Sequence, residues 1–257
     1  MKEKDFLLLP IILGPLFILS SVGIGLFGDT KTGLLLLCTH ILACITVGIL
    51  LGKFSKKSDE DFRKASNIKP KNSAANTISL RNLGEVLGNS INNSISTILM
   101  IGGFVVIFSV IISILNQTHT LDFLSKFLNP ILSLFGFDLS FSKPLLSGIL
   151  ELTNGVNLVA NIHIKAISQN VVLCAFLLGF GGFSVLLQVF SIVAKTDLSM
   201  KKYLIGKFMQ GIFASIYTFL ALKFIPFINL DILETSASNA NSLETLTSAT
   251  NAFYLFF

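Results

Sequence analysis

Two stretches in the middle of the chain carry the groups that could bind a small solute. "SGILELTNGVN" holds Glu151, Thr153, Asn154 and Asn157, and "GFGGFSVLLQ" holds Gly181, Gly182, Ser184 and Gln188. Carboxylate, hydroxyl and carboxamide groups together offer a charge and several hydrogen-bond donors and acceptors. The glycines interrupt helices and so free backbone N–H and C=O groups to face a ligand. Both stretches lie in strongly apolar surroundings. A carboxylate at mid-membrane costs roughly 2.5–3.5 kcal/mol on insertion scales and usually serves function. Gly181, Gly182 and Ser184 taken alone also suit close helix packing. Their pairing with the Glu151 stretch at equal depth is what makes a substrate site. No His, Cys or Asp adjoins Glu151 in the sequence to complete a catalytic pair. No catalytic residue, no enzymatic activity, no metal and no cofactor is therefore expected.

The elements that must position these groups are membrane helices. Of 257 residues, 52% are hydrophobic and 13% charged, against about 25% charged in soluble domains. Mean hydropathy is +0.78. The fold class is all-α: a polytopic membrane protein with about five transmembrane helices, one re-entrant hairpin and one broken helix. The net charge of +5 does not indicate nucleic acid, because the basic residues sit mainly between apolar runs, where they report membrane orientation. Cys38, Cys44 and Cys174 have no ligand or disulfide spacing and read as small buried residues. His40, His119 and His163 read as structural or interfacial.

An N-terminal hairpin occupies residues 1–52: Phe6–Phe27, a gap of "GDTKT", and Gly33–Gly52. The first run is too long for a signal peptide and lacks a cleavage site, so a retained helix is expected. Residues 53–79 form a basic cytoplasmic loop, expected to be flexible. Residues 80–225 hold an amphipathic interfacial segment (Leu80–Ile95), a crossing (Ile95–Leu115), a second amphipathic segment broken by Pro130 (stripe Leu121, Leu124, Leu128, Ile131, Phe135), the Pro144–Ile164 stretch, the Gly-broken Val171–Val193 and a last crossing, Tyr203–Ile225. Residues 226–257 form a polar tail, expected to be poorly ordered.

Charge decides how Pro144–Ile164 lies. A full crossing would place Lys195, Lys201 and Lys202 outside, whereas a re-entrant hairpin keeps them inside with Lys53–Arg81, as the positive-inside rule requires. Two arms of about ten residues at about 1.5 Å rise span half of a roughly 30 Å core. The turn "ELTNG", with Asn154-Gly155 as its turn pair, then falls near the midplane. Asn161, His163 and Lys165 mark the return to the interface. A hairpin tip facing a broken helix is the usual substrate site of secondary transporters.

"LMIGGFVVIFSV", "SGILELTNG" and "LGFGGFSVLLQVFSIVAKTDLSMKKYLIGKFMQGIFAS" resemble the sporulation integral membrane protein family of the YlbJ type, whose members contain nucleoside-recognition (gate) domains. The likeness covers Leu80 to Ile225; "THILACITVGILLGKF" matches less well, and no role for His40 is carried over. That family is similar in turn to concentrative nucleoside transporters, with re-entrant hairpins and broken helices. The resemblance implies transport of dipicolinic acid into the forespore across the outer forespore membrane of a bacterial cell. It also implies two copies of the hairpin-plus-broken-helix unit, and this sequence shows one. A shortened homologue, a split half or a truncated reading frame is expected. A homodimer or a second gate-domain chain would supply the missing repeat. The partners expected are a small-molecule substrate and membrane lipid, with no nucleic acid.

Overall fold

The computed structural model describes residues 14–65, 83–162, 167–193 and 200–224. Among these residues every regular element is a helix. Four helical stretches are long and apolar enough to cross a membrane: Thr30–Leu51, Leu83–Gln117, Ser168–Ser191 and Tyr203–Phe224. The fifth expected crossing, Phe6–Phe27, begins outside the described residues. Its described part is α1 (Phe17–Leu26), wound as a π-helix.

Asp29 starts α2 (Thr30–Ala65). Its carboxylate accepts hydrogen bonds from the Lys31 and Thr32 amides and the Thr32 hydroxyl, at 3.1, 2.9 and 2.9 Å. These bonds satisfy donors that have no partner within the helix. The α1–α2 hairpin closes where Gly23 meets Gly33, so tightly that a methyl on either residue would strike the other's backbone. Two expectations need correction here. The segment from Lys53 to Ala65, read as loop, continues α2 without a break; residues 66–82 lie outside the description, as does the tail. Cys38, read as buried, is exposed.

A third correction concerns α3 (Leu83–Gln117). The expected interfacial segment and crossing are one continuous helix of 35 residues, roughly 50 Å long at about 1.5 Å per residue. No Pro interrupts "GNSINNSIST". Its hydroxyls fold back onto the helix instead: Ser90, Ser94 and Thr97 donate to the carbonyls four residues earlier at 2.8 Å each. That bonding lets small polar residues remain helical in an apolar setting.

After α3, α4 (Thr120–Ser125), a 3-10 turn (Lys126–Leu128) and α5 (Asn129–Leu134) form the broken amphipathic segment, with Pro130 in the first turn of α5. The 3-10 turn rotates the buried face away from the expected stripe. Leu121, Ser125 and Leu132 are buried, while Leu124, Ile131 and Phe135 point outward. Asp122 of α4 is gripped by Lys143 at 2.7 Å and His119 at 3.2 Å, which hold its carboxyl below the ordinary range.

The remaining helices pack around α8 (Ile167–Phe180), which lies in the Ser168–Ser191 stretch, the most buried of the four candidate spans. They are α6 (Ser142–Leu150), α7 (Leu152–Ala160), α9 (Gly182–Val193) and α10 (Met200–Phe224). The core joins Val156 and Val159 of α7 to Val171, Cys174, Leu177 and Leu178 of α8. Gly179 lies inside α8, where it lets α10 approach; a methyl there would stand 2.6 Å from the Gly211 Cα.

Close approach of backbones makes the α6–α7 pair a hairpin: a methyl on Gly155 would overlap the backbone of Gly148. Gly155→Val should therefore destabilise the folded chain by about 1–3 kcal/mol or more. Gly84→Ala, on an open stretch of α3 with nothing within 4 Å, should be neutral or stabilising by under about 1 kcal/mol. Thermal unfolding in detergent of the two variants checks this, and equal behaviour would refute the tight crossing.

Candidate functional site: the hairpin tip and the helix break

The hairpin reverses at one residue. Glu151 is extended (φ −139°, ψ 121°) between α6 and α7, each nine residues long. Nine residues at about 1.5 Å make each arm roughly 14 Å, half a hydrocarbon core. Entry and exit are tied together at the base. The Gln169 side chain accepts from the Asp138 amide at 3.0 Å and donates to the Gly136 carbonyl at 3.3 Å. Asn170 closes the end of α7, donating to the carbonyls of Val159 and Ile162 at 2.7 and 2.9 Å. The chain thus leaves and returns at the same place, as a re-entrant hairpin must. Asn154-Gly155, read as the turn pair, is instead helical within α7. The turn needs no left-handed residue, because an extended Glu151 suffices.

Glu151 is 1% exposed, and its carboxylate caps α7. Oε1 accepts from the Thr153 amide at 2.9 Å; Oε2 accepts from the Asn154 amide at 2.7 Å and the Thr153 hydroxyl at 2.6 Å. The first amides of a helix that starts inside a membrane protein need a partner. A carboxylate provides one with strong charge-assisted bonds and opposes the positive end of the helix dipole. The Asn154 side-chain Nδ2 donates to the Ser147 hydroxyl at 3.3 Å, pinning the tip across to α6.

The break between α8 and α9 meets this tip. Gly181 and Gly182 are left-handed (φ 87° and 72°), a conformation that side chains other than glycine's rarely adopt. A methyl on Gly182 would lie 2.9 Å from the Gly148 carbonyl oxygen and 3.1 Å from the Leu152 nitrogen. Backbone of the break and backbone of the tip are therefore in direct contact. Beside them Ser184 is fully buried, and its hydroxyl has no hydrogen-bond partner. Gln188 is buried one turn further along α9.

Of the sequence-predicted residues, the fold brings Glu151, Thr153 and Asn154 to the tip and Gly181, Gly182 and Ser184 to the break against it. Asn157 does not join them. It is exposed on the outer face of α7 and accepts from Asn161 at 2.8 Å. Next to the junction, Ile149, Phe176, Phe180, Phe183, Leu204, Ile205 and Phe208 line an apolar cleft of about 400 Å³.

The region from α3 through α9 matches the family described as Gate: Nucleoside recognition, over residues 98–196. Sporulation integral membrane protein YlbJ of Bacillus subtilis (strain 168) is 35% identical over 217 residues. The chain belongs to the YlbJ-type family. It is thus an integral membrane protein with a gate domain. The alignment covers 81% of this chain and 53% of that relative, so the chain spans about half the length of the curated relative it matches. No solved structure matches significantly.

Capping and ligand binding by Glu151 make different predictions. Glu151→Ala should lose roughly 1–3 kcal/mol of stability, because buried amides are left unpaired. Glu151→Gln keeps one accepting oxygen and should lose less. Unfolding midpoints that fall equally little for both variants would refute the cap.

Proposed function

We propose that this chain is the gate portion of a sporulation membrane transporter for a small anionic organic solute, which the family resemblance suggests is dipicolinic acid bound for the forespore. The observation that carries the reading is the junction of tip and break. A re-entrant tip abuts a helix break at Gly182, and at that junction the Ser184 hydroxyl is buried without a partner. The first amides of α9 point the same way as any helix N-terminus, toward negative charge. A solute carboxylate would accept from them and from Ser184, with Gln188, Thr153 and Asn154 orienting it. Glu151 supports the site as the cap of α7 rather than touching the anion, which removes the repulsion that a free carboxylate would exert. The apolar cleft receives the flat ring of the solute. A second copy or a second gate-domain chain completes the unit, and the outer forespore membrane is its proposed location.

A second reading, a noncatalytic membrane subunit of the spore envelope, draws on one observation: every oxygen of Glu151 is used within the hairpin. That reading requires a sporulation defect with normal dipicolinate accumulation.

Uptake of radiolabelled dipicolinate into proteoliposomes tests the proposal. Ser184→Ala should cut the rate about tenfold, the loss of one buried hydrogen bond to a charged group, with unchanged insertion. Undiminished uptake would sink the site. Asn154→Cys should react with a water-borne thiol reagent and be protected by dipicolinate; an inert thiol would speak for a packed tip with no access from water.

A further inference from the structure

Of the two helix starts at the junction, one is already filled. Glu151 occupies the start of α7, whereas α9 begins beside the buried, unpartnered Ser184 hydroxyl. The apolar cleft continues from there. Phe183, on its wall, precedes Ser184, and Ile149 follows Gly148, whose carbonyl lies against Gly182. All seven lining residues are apolar, and four are phenylalanines. Phe176 and Phe180 are stacked with centroids 6.1 Å apart. Phe183 and Phe208 each meet Phe180 edge to face, at 6.0 and 6.4 Å. These are the arrangements aromatic rings prefer, and a further flat ring can extend them. A volume of about 400 Å³ lies toward the small end of the range for organic-ligand pockets.

No charged side chain lines the cleft. Neither α8 nor α9 contains one, and Cys174 of α8 turns toward the Val156 carbonyl of α7. On α6, Lys143 lies at the far end of the arm, bonded to Asp122 at 2.7 Å. Glu151 is held by Thr153 and Asn154. On α10, Lys207 donates to Gln210 at 3.1 Å, and Gln210 meets His40 of α2 at 3.3 Å; none of the three lines the cleft. Tyr203 packs with Phe180 and Leu186 and is not a lining residue either. Lys201 is exposed in the first turn of α10, before the apolar span begins at Tyr203. A carboxylate carried into the cleft would therefore lose its water without gaining a cation, which is strongly unfavourable.

We infer that the site takes a flat aromatic ring bearing one ionised carboxylate. The carboxylate lies at Ser184 and the start of α9, and the bare ring lies against Phe180, Phe183 and Phe208. The inference rests on the transport reading above and narrows its solute class. An acid with two carboxyls is taken with one of them protonated, and that proton, supplied by the surrounding water, travels with the solute.

Binding of radiolabelled benzoate to the full chain in lipid nanodiscs, competed by unlabelled acids, tests it. At pH 7, cyclohexanecarboxylate should compete about three- to tenfold more weakly than benzoate, because it lacks the aromatic edges and faces. Isophthalate, the same ring with a second carboxylate, should compete at least about tenfold more weakly. Carboxyls titrate near pH 4, so lowering the pH from 7 toward 5 should strengthen isophthalate about tenfold per unit, following its singly ionised form, and leave benzoate nearly unchanged. Phe208 is 51% exposed, so Phe208→Leu should fold; it should erase the preference for benzoate over cyclohexanecarboxylate and keep the penalty on isophthalate. Isophthalate binding as tightly as benzoate at pH 7 would overturn the inference, and its loss in Lys201→Gln would place the second carboxylate on that lysine. Equal competition by the two monocarboxylates would overturn the role of the rings. Failure of every acid to bind would instead remove the transport reading, and this inference with it.

Discussion

Everything at the centre of this protein depends on the Glu151 carboxylate lying over the first amides of α7. A chain that reverses within a membrane protein leaves helix ends whose amides need a partner from the protein or from a water-lined cavity. Glu151 meets that need locally by accepting from three donors on two residues, the amide and hydroxyl of Thr153 and the amide of Asn154. Ser147 and Asn154 then clasp the arms, and Asn170 and Gln169 close the other end. The costly charge and the costly amides satisfy each other, so neither has to be exchanged for a longer loop.

The broken helix solves the same problem by another route. Gly181 and Gly182 turn α8 into α9 without a side-chain cap, and Gly182 takes the space left between Gly148 and Leu152. One junction therefore contains one helix start already neutralised by its own carboxylate and another that is not. The difference separates a supporting part from a receptive one, with the unsatisfied Ser184 hydroxyl on the receptive side.

Much of this could be read from residue order. The hairpin and the position of the break follow from charge in distant loops, arm length and the "GFGG" sequence. The role of Glu151 did not follow, because a carboxylate beside a turn reads equally as ligand or cap until the direction of its side chain is known. Asn157 was misplaced for a helical reason: it projects from the face of α7 opposite Val156 and Val159. The stripe of α4 and α5 was shifted by a 3-10 turn that no periodicity reveals. The continuity of α3 was hidden because Ser and Asn read as interfacial, although their hydroxyls bond back within the helix. His40, Lys207 and Gln210 are brought together by the packing of α2 on α10. Lys207 and Gln210 three apart in "YLIGKFMQG" were the available signal, and the partner histidine lies 170 positions away.

The contact of Gly148 with Gly155 also fixes the mechanical character of the centre. With their backbones touching, α6 and α7 have no lubricating side chains between them, and they cannot scissor apart without opening a void. The hairpin is a stiff pin. Compliance is confined to the two left-handed glycines that bear on its point, so displacement of α9 is the softer coordinate of the pair, with the pin as its fixed fulcrum.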